Sequence, residues 1–447
     1  MIRSNGFLFL NISKEGEPMS SRSSLPKRRL LWLINGILLV LISIAIIAFF
    51  VIVNSDESDV PTNTNIPIGQ IGNGTTDEPT ITMTPSPSPT PEPTPTLPEY
   101  TDAVWIGVGD IMSHTPQLPG AYNKTTDTYD FNPFFEPITS LLEDGNWIMA
   151  NLETPIAGSD IGYSGYPTFN APTELAEALW NAGFNVLSTA NNHSLDKGEK
   201  GVLRTLENVH EIGFTTVGTA ASIEESTAST IIEHNDISMG FLSYTYGTNG
   251  IPIPSGKDYL VNLIDKDAII ADMNKLREDG AEVITVALHF GNEYQPQPSE
   301  EQKKLARELI AAGADIIAGS HPHVLQPYEM LSTFDENGNE RQGLIIYSMG
   351  NFISNQRGES KDYGAIYKVN IRKHYDTGAI ELTNVEVTPT WVHRYKPDTA
   401  YRYRILPVAA TIESRDDPLL NEKDYNALES SLAMLNKRLT SMESTEQ

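Results

Sequence analysis

Six short stretches of this chain carry side chains able to hold a cation or move a proton. They are Gly109-Asp110 with His114 nearby, Asn151-Leu152-Glu153, Asn191-Asn192-His193-Ser194-Leu195-Asp196, His289-Phe290-Gly291-Asn292-Glu293-Tyr294, Ser320-His321-Pro322-His323 and Gly350-Asn351. Carboxylates, neutral imidazoles and an Asn carbonyl together make a mixed oxygen and nitrogen donor set. Such a set suits Mn²⁺, Fe or Zn²⁺ better than Ca²⁺, which prefers oxygen alone. The 447 residues include no Cys, so thiolate sites, disulfides and cysteine nucleophiles are excluded. A carboxylate bridging two ions, each with an open position, would generate a hydroxide nucleophile near neutral pH. Each stretch alone has a plainer reading. An Asp after a strand usually caps a turn, and a lone His such as His193 usually satisfies a core or faces water. The pair His321 and His323 is more informative, because Pro322 fixes the backbone between two imidazoles that could then point to different ions.

Every one of these stretches follows an apolar, strand-like run. The runs are VWIGVG (104–109), WIMANL (147–152), FNVLSTA (184–190), EVITVAL (282–288), ADIIAG (314–319) and LIIYSMG (344–350). Amphipathic helical patterns alternate with them, which predicts an α/β fold. Residues 173–182 read as a helix with Thr173 as N-cap and Leu175, Ala176, Leu179 and Trp180 on its inner face. Residues 299–312 repeat the plan, with Ser299 and Gln302 in a capping-box pattern. Further helices are expected at 269–276 and in the stretch YNALESSLAMLNKRL near the C-terminus. In open α/β sheets ligands bind beyond the carboxyl ends of the strands. A parallel central sheet would therefore gather the six stretches on one edge.

The N-terminal part has a different character. Residues 30–53 are almost wholly apolar, and as a helix they would rise roughly 36 Å, enough to span a bilayer core of about 30 Å. Lys27, Arg28 and Arg29 precede the run and Asp56, Glu57 and Asp59 follow it. The positive-inside rule then keeps residues 1–29 in the cytoplasm and puts the rest outside the cell. Residues 54–100 hold ten prolines and no Lys or Arg, the composition of a disordered, extended tether. The expected organisation is a cytoplasmic tail (1–29), a transmembrane anchor (30–53), a linker (54–100), a folded domain (101–410) and a helical tail (411–447). The formal net charge of −27 argues against nucleic acid as a partner.

The stretches GDIMSH (109–114), NLETPI (151–156), ANNHSLDKG (190–198), LHFGNEYQPQPSEEQ (288–302), GADIIAGSHPHVLQPYE (313–329) and YSMGNFISNQ (347–356) resemble the capsule-synthesis CapA family. That family is associated with poly-γ-glutamate production and sits in the calcineurin-like metallophosphoesterase superfamily. The resemblance implies a four-layer fold, a central β-sandwich flanked by helices, with two divalent ions at the strand ends. It implies Asp110 on the first ion, Glu153 as the bridge, and Asn192, His289 and His321 on the second. His323 would return to the first ion, and His193 would act as general acid. Glu293 would bind metal, hold His289 or act as a base. Asn151 and Asn351 are expected against substrate. Position 112 is Met where the superfamily has a His ligand, so either His114 replaces that ligand or the first ion is weakly held or absent. No Arg lies within the motifs; Lys197 and Arg357 are the nearest basic residues.

The expected function is that of a membrane-anchored, extracytoplasmic metal-dependent hydrolase acting on a phosphoester or an envelope-polymer bond in capsule biosynthesis. The alternative is a non-catalytic accessory subunit of a capsule polymer synthesis or export complex, docked beside membrane partners. Residues 101–447 carry about −24, so a polyanionic polymer would need metal ions or a local basic patch to be held.

Overall fold

The computed structural model describes residues 98–334, 338 and 340–442. The expected cytoplasmic tail, the anchor 30–53, the linker up to residue 97 and residues 443–447 lie outside the described residues. Among the described residues no helix is long and apolar enough to cross a membrane.

The six anticipated strands form, but not as one parallel sheet. Three of them, Tyr100–Ile111, Trp147–Leu152 and Val186–Ser188, run parallel in an eight-stranded mixed sheet. The other three, Val283–His289, Ile316–Ser320 and Glu340–Ile346, run parallel in a six-stranded mixed sheet. Three further parallel strands, Thr215–Val217, Ile237–Thr245 and Asn351–Ile353, and several antiparallel ones complete both sheets. Tyr363–His374, Ile380–Tyr395 and Arg402–Pro407 extend the first sheet beside Tyr100–Ile111. Tyr328–Phe334 and Ile231–His234 form the edges of the second.

Alternation along the strands shows how the sheets stack. In Val283–His289, Val283 and Ala287 enter one buried cluster while Ile284, Val286 and Leu288 enter another. The first cluster also holds Trp105, Met149 and Val186 from the larger sheet, so it is the filling between the two sheets. The second packs against the helices Lys266–Glu278 and Glu300–Ala311. The outer face of the larger sheet is covered by Thr173–Asn181 and Gly198–Ile212, through Leu175, Leu179 and Val209. The result is an α/β fold of four layers, helices, sheet, sheet, helices.

Local chemistry sets the helix ends. Ser299 accepts the Gln302 N–H, and the Gln302 side chain accepts the Ser299 N–H, the reciprocal box read in the sequence. The helix Thr173–Asn181 buries Leu175, Ala176 and Leu179 as expected but differs from expectation at Thr173 and Trp180. Pro172 takes the N-cap position and Thr173 the first turn, since Pro has no N–H to leave unpaired. Trp180 is 41% exposed and lies edge-on to Phe214 instead of entering the core. At the C-terminal end, Val408–Ser414 is a helix that crosses the 410/411 boundary. The following helix Glu422–Leu439 sends Leu428, Leu435 and Leu439 into the inter-sheet cluster.

Candidate metal centre

The two parallel trios end at the same edge of the sandwich. Inward-facing positions in Trp147–Leu152 are Trp147 and Met149, so Asn151 continues that face and Glu153 follows it. By the same count His289 follows Val283 and Ala287, and Ser320 follows Ile316 and Ala318. Asp110 has the wrong parity: Ile106 and Val108 point to the outer cluster. A register shift between Val108 and Asp110 corrects it, leaving Gly109 as the extra residue of a bulge and pairing Asp110 with Asn151. Only Gly fits there, because a Cβ on Gly109 would stand 1.9 Å from the Gly350 carbonyl oxygen.

The side chains meet at donor distances. His323 Nδ1 lies 3.0 Å from Asp110 Oδ2, and His289 Nε2 lies 3.0 Å from Asn192 Oδ1. Glu153 Oε1 stands 3.5 Å from His289 Nε2 and 3.7 Å from His323 Nε2. Three groups of residues converge closely enough to share an ion: Asp110, Glu153 and His323; Glu153, His289 and His321; and Glu293, His321 and His323. Glu153 belongs to the first two, the position a bridging carboxylate requires. All but Glu293 are buried.

The donor set fits divalent metal. Glu153 Oε1 is buried with no hydrogen-bond partner, as is His321 Nδ1. Buried acceptors aimed at one another without a proton between them are costly unless a cation joins them. Ligand atoms sharing an ion with bonds of about 2.1 Å stand roughly 3.0–3.4 Å apart, close to the separations of His323 from Asp110 (3.0 Å) and of His289 from Glu153 (3.5 Å). Without an ion, burial and the adjacent Asp110 carboxylate hold the Glu153 carboxyl well above its usual range. Burial and the neighbouring imidazoles push His289 well down and His321 to about 4. Both rings are therefore neutral at pH 7, the form that ligates metal.

Supporting contacts fix these ligands. His289 Nδ1 meets Ser320 Oγ at 2.9 Å and Asn151 Nδ2 at 3.3 Å, which leaves Nε2 for the centre. Ser320, not Glu293, is the partner of that ring. Glu293 is exposed, and its loop is tied to the His321 turn by the Tyr294 N–H donating to the Pro322 carbonyl at 2.7 Å. His321 and His323 both have positive φ, 97° and 57°, a sparsely populated geometry for residues with a Cβ.

Not every expected residue sits where substrate would. Asn151 is 3% exposed and its amide donates to Asp110 at 2.8 Å and to Glu153 at 3.3 Å, so it positions the carboxylates. Asn351 is fully buried and donates to the carbonyls of His323 and Lys361 and to Gln356. His114 joins none of the three groups; its Nδ1 accepts the Asn355 N–H at 3.3 Å and its ring stands edge-on to Phe169. His193 Nδ1 meets Asp196 Oδ2 at 2.8 Å, and the same oxygen accepts the Phe169 N–H at 2.6 Å. Asp196 is the residue the sequence reading left without a role. Its place three residues after His193, within a turn, was the available signal.

The family model described as bacterial capsule synthesis protein PGA_cap matches residues 105–356. The capsule biosynthesis protein CapA of Bacillus anthracis is 28% identical over 258 residues, 56% of this chain and 59% of that relative. The PGA biosynthesis protein CapA of Bacillus subtilis is 29% identical over 289 residues, 63% of this chain and 70% of that relative. The chain thus spans less than two thirds of the first of these proteins. Among solved structures, the calcineurin-like phosphoesterase YfkN of Bacillus subtilis aligns with 14% identity and a TM-score of 0.39, covering 75% of this chain and 97% of that one. A phosphatase of Mycoplasma pneumoniae aligns with 12% identity and a TM-score of 0.39, over 64% and 93%.

Proposed function

This chain belongs to the PGA_cap family of bacterial capsule synthesis proteins, and from that premise we propose that it is a membrane-anchored, extracytoplasmic metal-dependent hydrolase acting on a phosphoester or envelope-polymer bond. The observation that carries the reading is the sharing of Glu153 between two buried ligand groups. Asp110, Glu153 and His323 would hold one ion, and Glu153, Asn192, His289 and His321 the other. Bound divalent ions, Mn, Fe or Zn, would activate water and offset negative charge developing on the substrate. The chain's own part in the chemistry lies with His193. Asp196 engages its Nδ1, which orients the ring and leaves Nε2 to deliver a proton to the leaving group. Phe169 stands edge-on to the ring at 4.7 Å and restricts its rotation. The apolar run 30–53 would hold the domain at the outer face of the membrane, with the polymer of the envelope as its partner.

The test is to purify the full-length chain, measure bound metal by mass spectrometry and assay a chromogenic phosphodiester and a γ-glutamyl oligomer. Metal content near two ions with turnover of either substrate is expected, and both should fall in Glu153→Gln. Metal-loaded protein that turns over neither would leave the accessory-subunit reading. The curated relatives favour that second reading in one respect, since both are described by biosynthesis and not by hydrolysis.

A further inference from the structure

In a chain this acidic, arginines rarely lack a carboxylate. Among the described residues, every arginine except Arg357, Arg394 and Arg438 has one within salt-bridge distance. Two of the three exceptions lie around Tyr403. Asn355 Oδ1 accepts from Arg394 Nη1 at 3.0 Å and from the Tyr403 hydroxyl at 2.7 Å. The Arg357 guanidinium stands 5.6 Å from the centre of the Tyr403 ring. Its Nη1 donates to the Gln356 carbonyl at 3.1 Å, and its Nε is buried with no partner. Burial, and then the charge of Arg394, lower Arg357 to about 10 against the opposing pull of the Asp362 carboxylate, which lies beyond salt-bridge distance, so Arg357 remains a cation at neutral pH.

The pair adjoins the metal centre. The Asn355 N–H donates to His114 Nδ1, and His114 lies within electrostatic reach of both Arg357 and His323. Asp362 offsets these two like charges only from beyond salt-bridge distance and leaves the buried Arg357 Nε without a hydrogen bond, so an anion that joins the pair directly would stabilise it. The planar forks of guanidinium groups match the two oxygens of a carboxylate or phosphate.

We propose that Arg357 and Arg394 form an oxyanion subsite beside the metal centre, which takes a carboxylate or phosphate group of the substrate. The subsite deepens the reading of the centre as a hydrolytic site for an anionic substrate and rests on it for its role in turnover. It also supplies what the bulk charge withholds: local attraction for a polyanion on a strongly negative protein.

The experiment is calorimetric titration of the full-length chain, with Mn²⁺ and after chelation, using a γ-glutamyl oligomer, inorganic phosphate and a neutral glutamine oligomer. Arg357→Met and Arg394→Met are compared with Arg372→Met, whose arginine pairs with Asp102 at the far end of its strand. The subsite requires affinity for one of the two anions to fall about tenfold or more in the first two variants. Metal content and the affinity of Arg372→Met should stay at the unsubstituted level. Arg394→Met carries the result if Arg357→Met does not fold, because Arg394 is only half-buried. Which anion loses affinity identifies the source of the oxyanion. Unchanged affinity in Arg394→Met, or an equal loss in Arg372→Met, overturns the proposal. Anion binding that survives in a chain found to hold no metal would sink the hydrolase reading and leave the subsite standing.

Discussion

His323 and Asp110 stand 213 positions apart in the chain, yet His323 Nδ1 lies 3.0 Å from Asp110 Oδ2. The contact joins the ends of two different sheets, and each partner depends on an unusual backbone. Asp110 needs the bulge at Gly109, and His323 needs a positive φ. The centre is thus a product of packing between sheets, and its integrity should report on that packing.

Gly109→Ala tests this directly. The added Cβ would meet the Gly350 carbonyl oxygen at 1.9 Å, so backbone must move. A loss of stability of about 1–3 kcal/mol is expected, the usual cost of forcing an extra methyl into a packed site. Metal content should fall with it, as measured by denaturant titration and elemental analysis of one sample. Full metal content in Gly109→Ala would show that the bulge does not set Asp110.

His193→Ala should lower turnover by about 10²–10⁴ while leaving bound metal unchanged, if the ring delivers the proton. Asp196→Asn should cost less, about 10–100-fold, because it acts by orienting the ring. An equal loss in the two variants would show that Asp196 does more than orient the ring.

Glu153 gives a proton-counting prediction. In the chelated protein its carboxyl is held well above the usual range by burial and by Asp110. Uptake of divalent metal near neutral pH should therefore release protons. Titration calorimetry in buffers of different ionisation enthalpy would count them, and Glu153→Gln should release fewer. Equal release from both proteins would place the proton elsewhere.

A second pH effect lies away from the centre. Burial, then the Arg404 charge, lowers His393 to about 4; Arg404 Nε donates to its Nδ1 at 3.0 Å. Trp391 and Tyr395 stack on its two neighbouring sides at 4.8 and 5.2 Å. The unfolded chain takes up a proton near pH 6.5 and the folded one only near 4. The contribution of His393 is therefore fully present above pH 6.5 and is lost as pH falls toward 4. Thermal unfolding of the protein should show this slope, and His393→Gln should flatten it. A slope of equal size in both would assign it to other groups.

The sequence by itself determined the donor types, six strand candidates and the helices read over 173–182 and 299–312. These are local matters: an apolar run, a capping residue, an imidazole on each side of Pro322. It also carried the family resemblance, since the motifs are contiguous and ordered. The long strands Tyr363–His374 and Ile380–Tyr395 escaped it, because they carry Lys, Arg and Glu on one face and become strands only by pairing. Tertiary structure alone decided that the six motif strands divide between two sheets. It alone turned Asp110 inward, set Ser320 behind His289 and brought Arg357 and Arg394 together around Tyr403. The physical reason is that strand pairing and sheet stacking depend on partners far apart in the chain. No local pattern of side chains can state which partner a strand will meet.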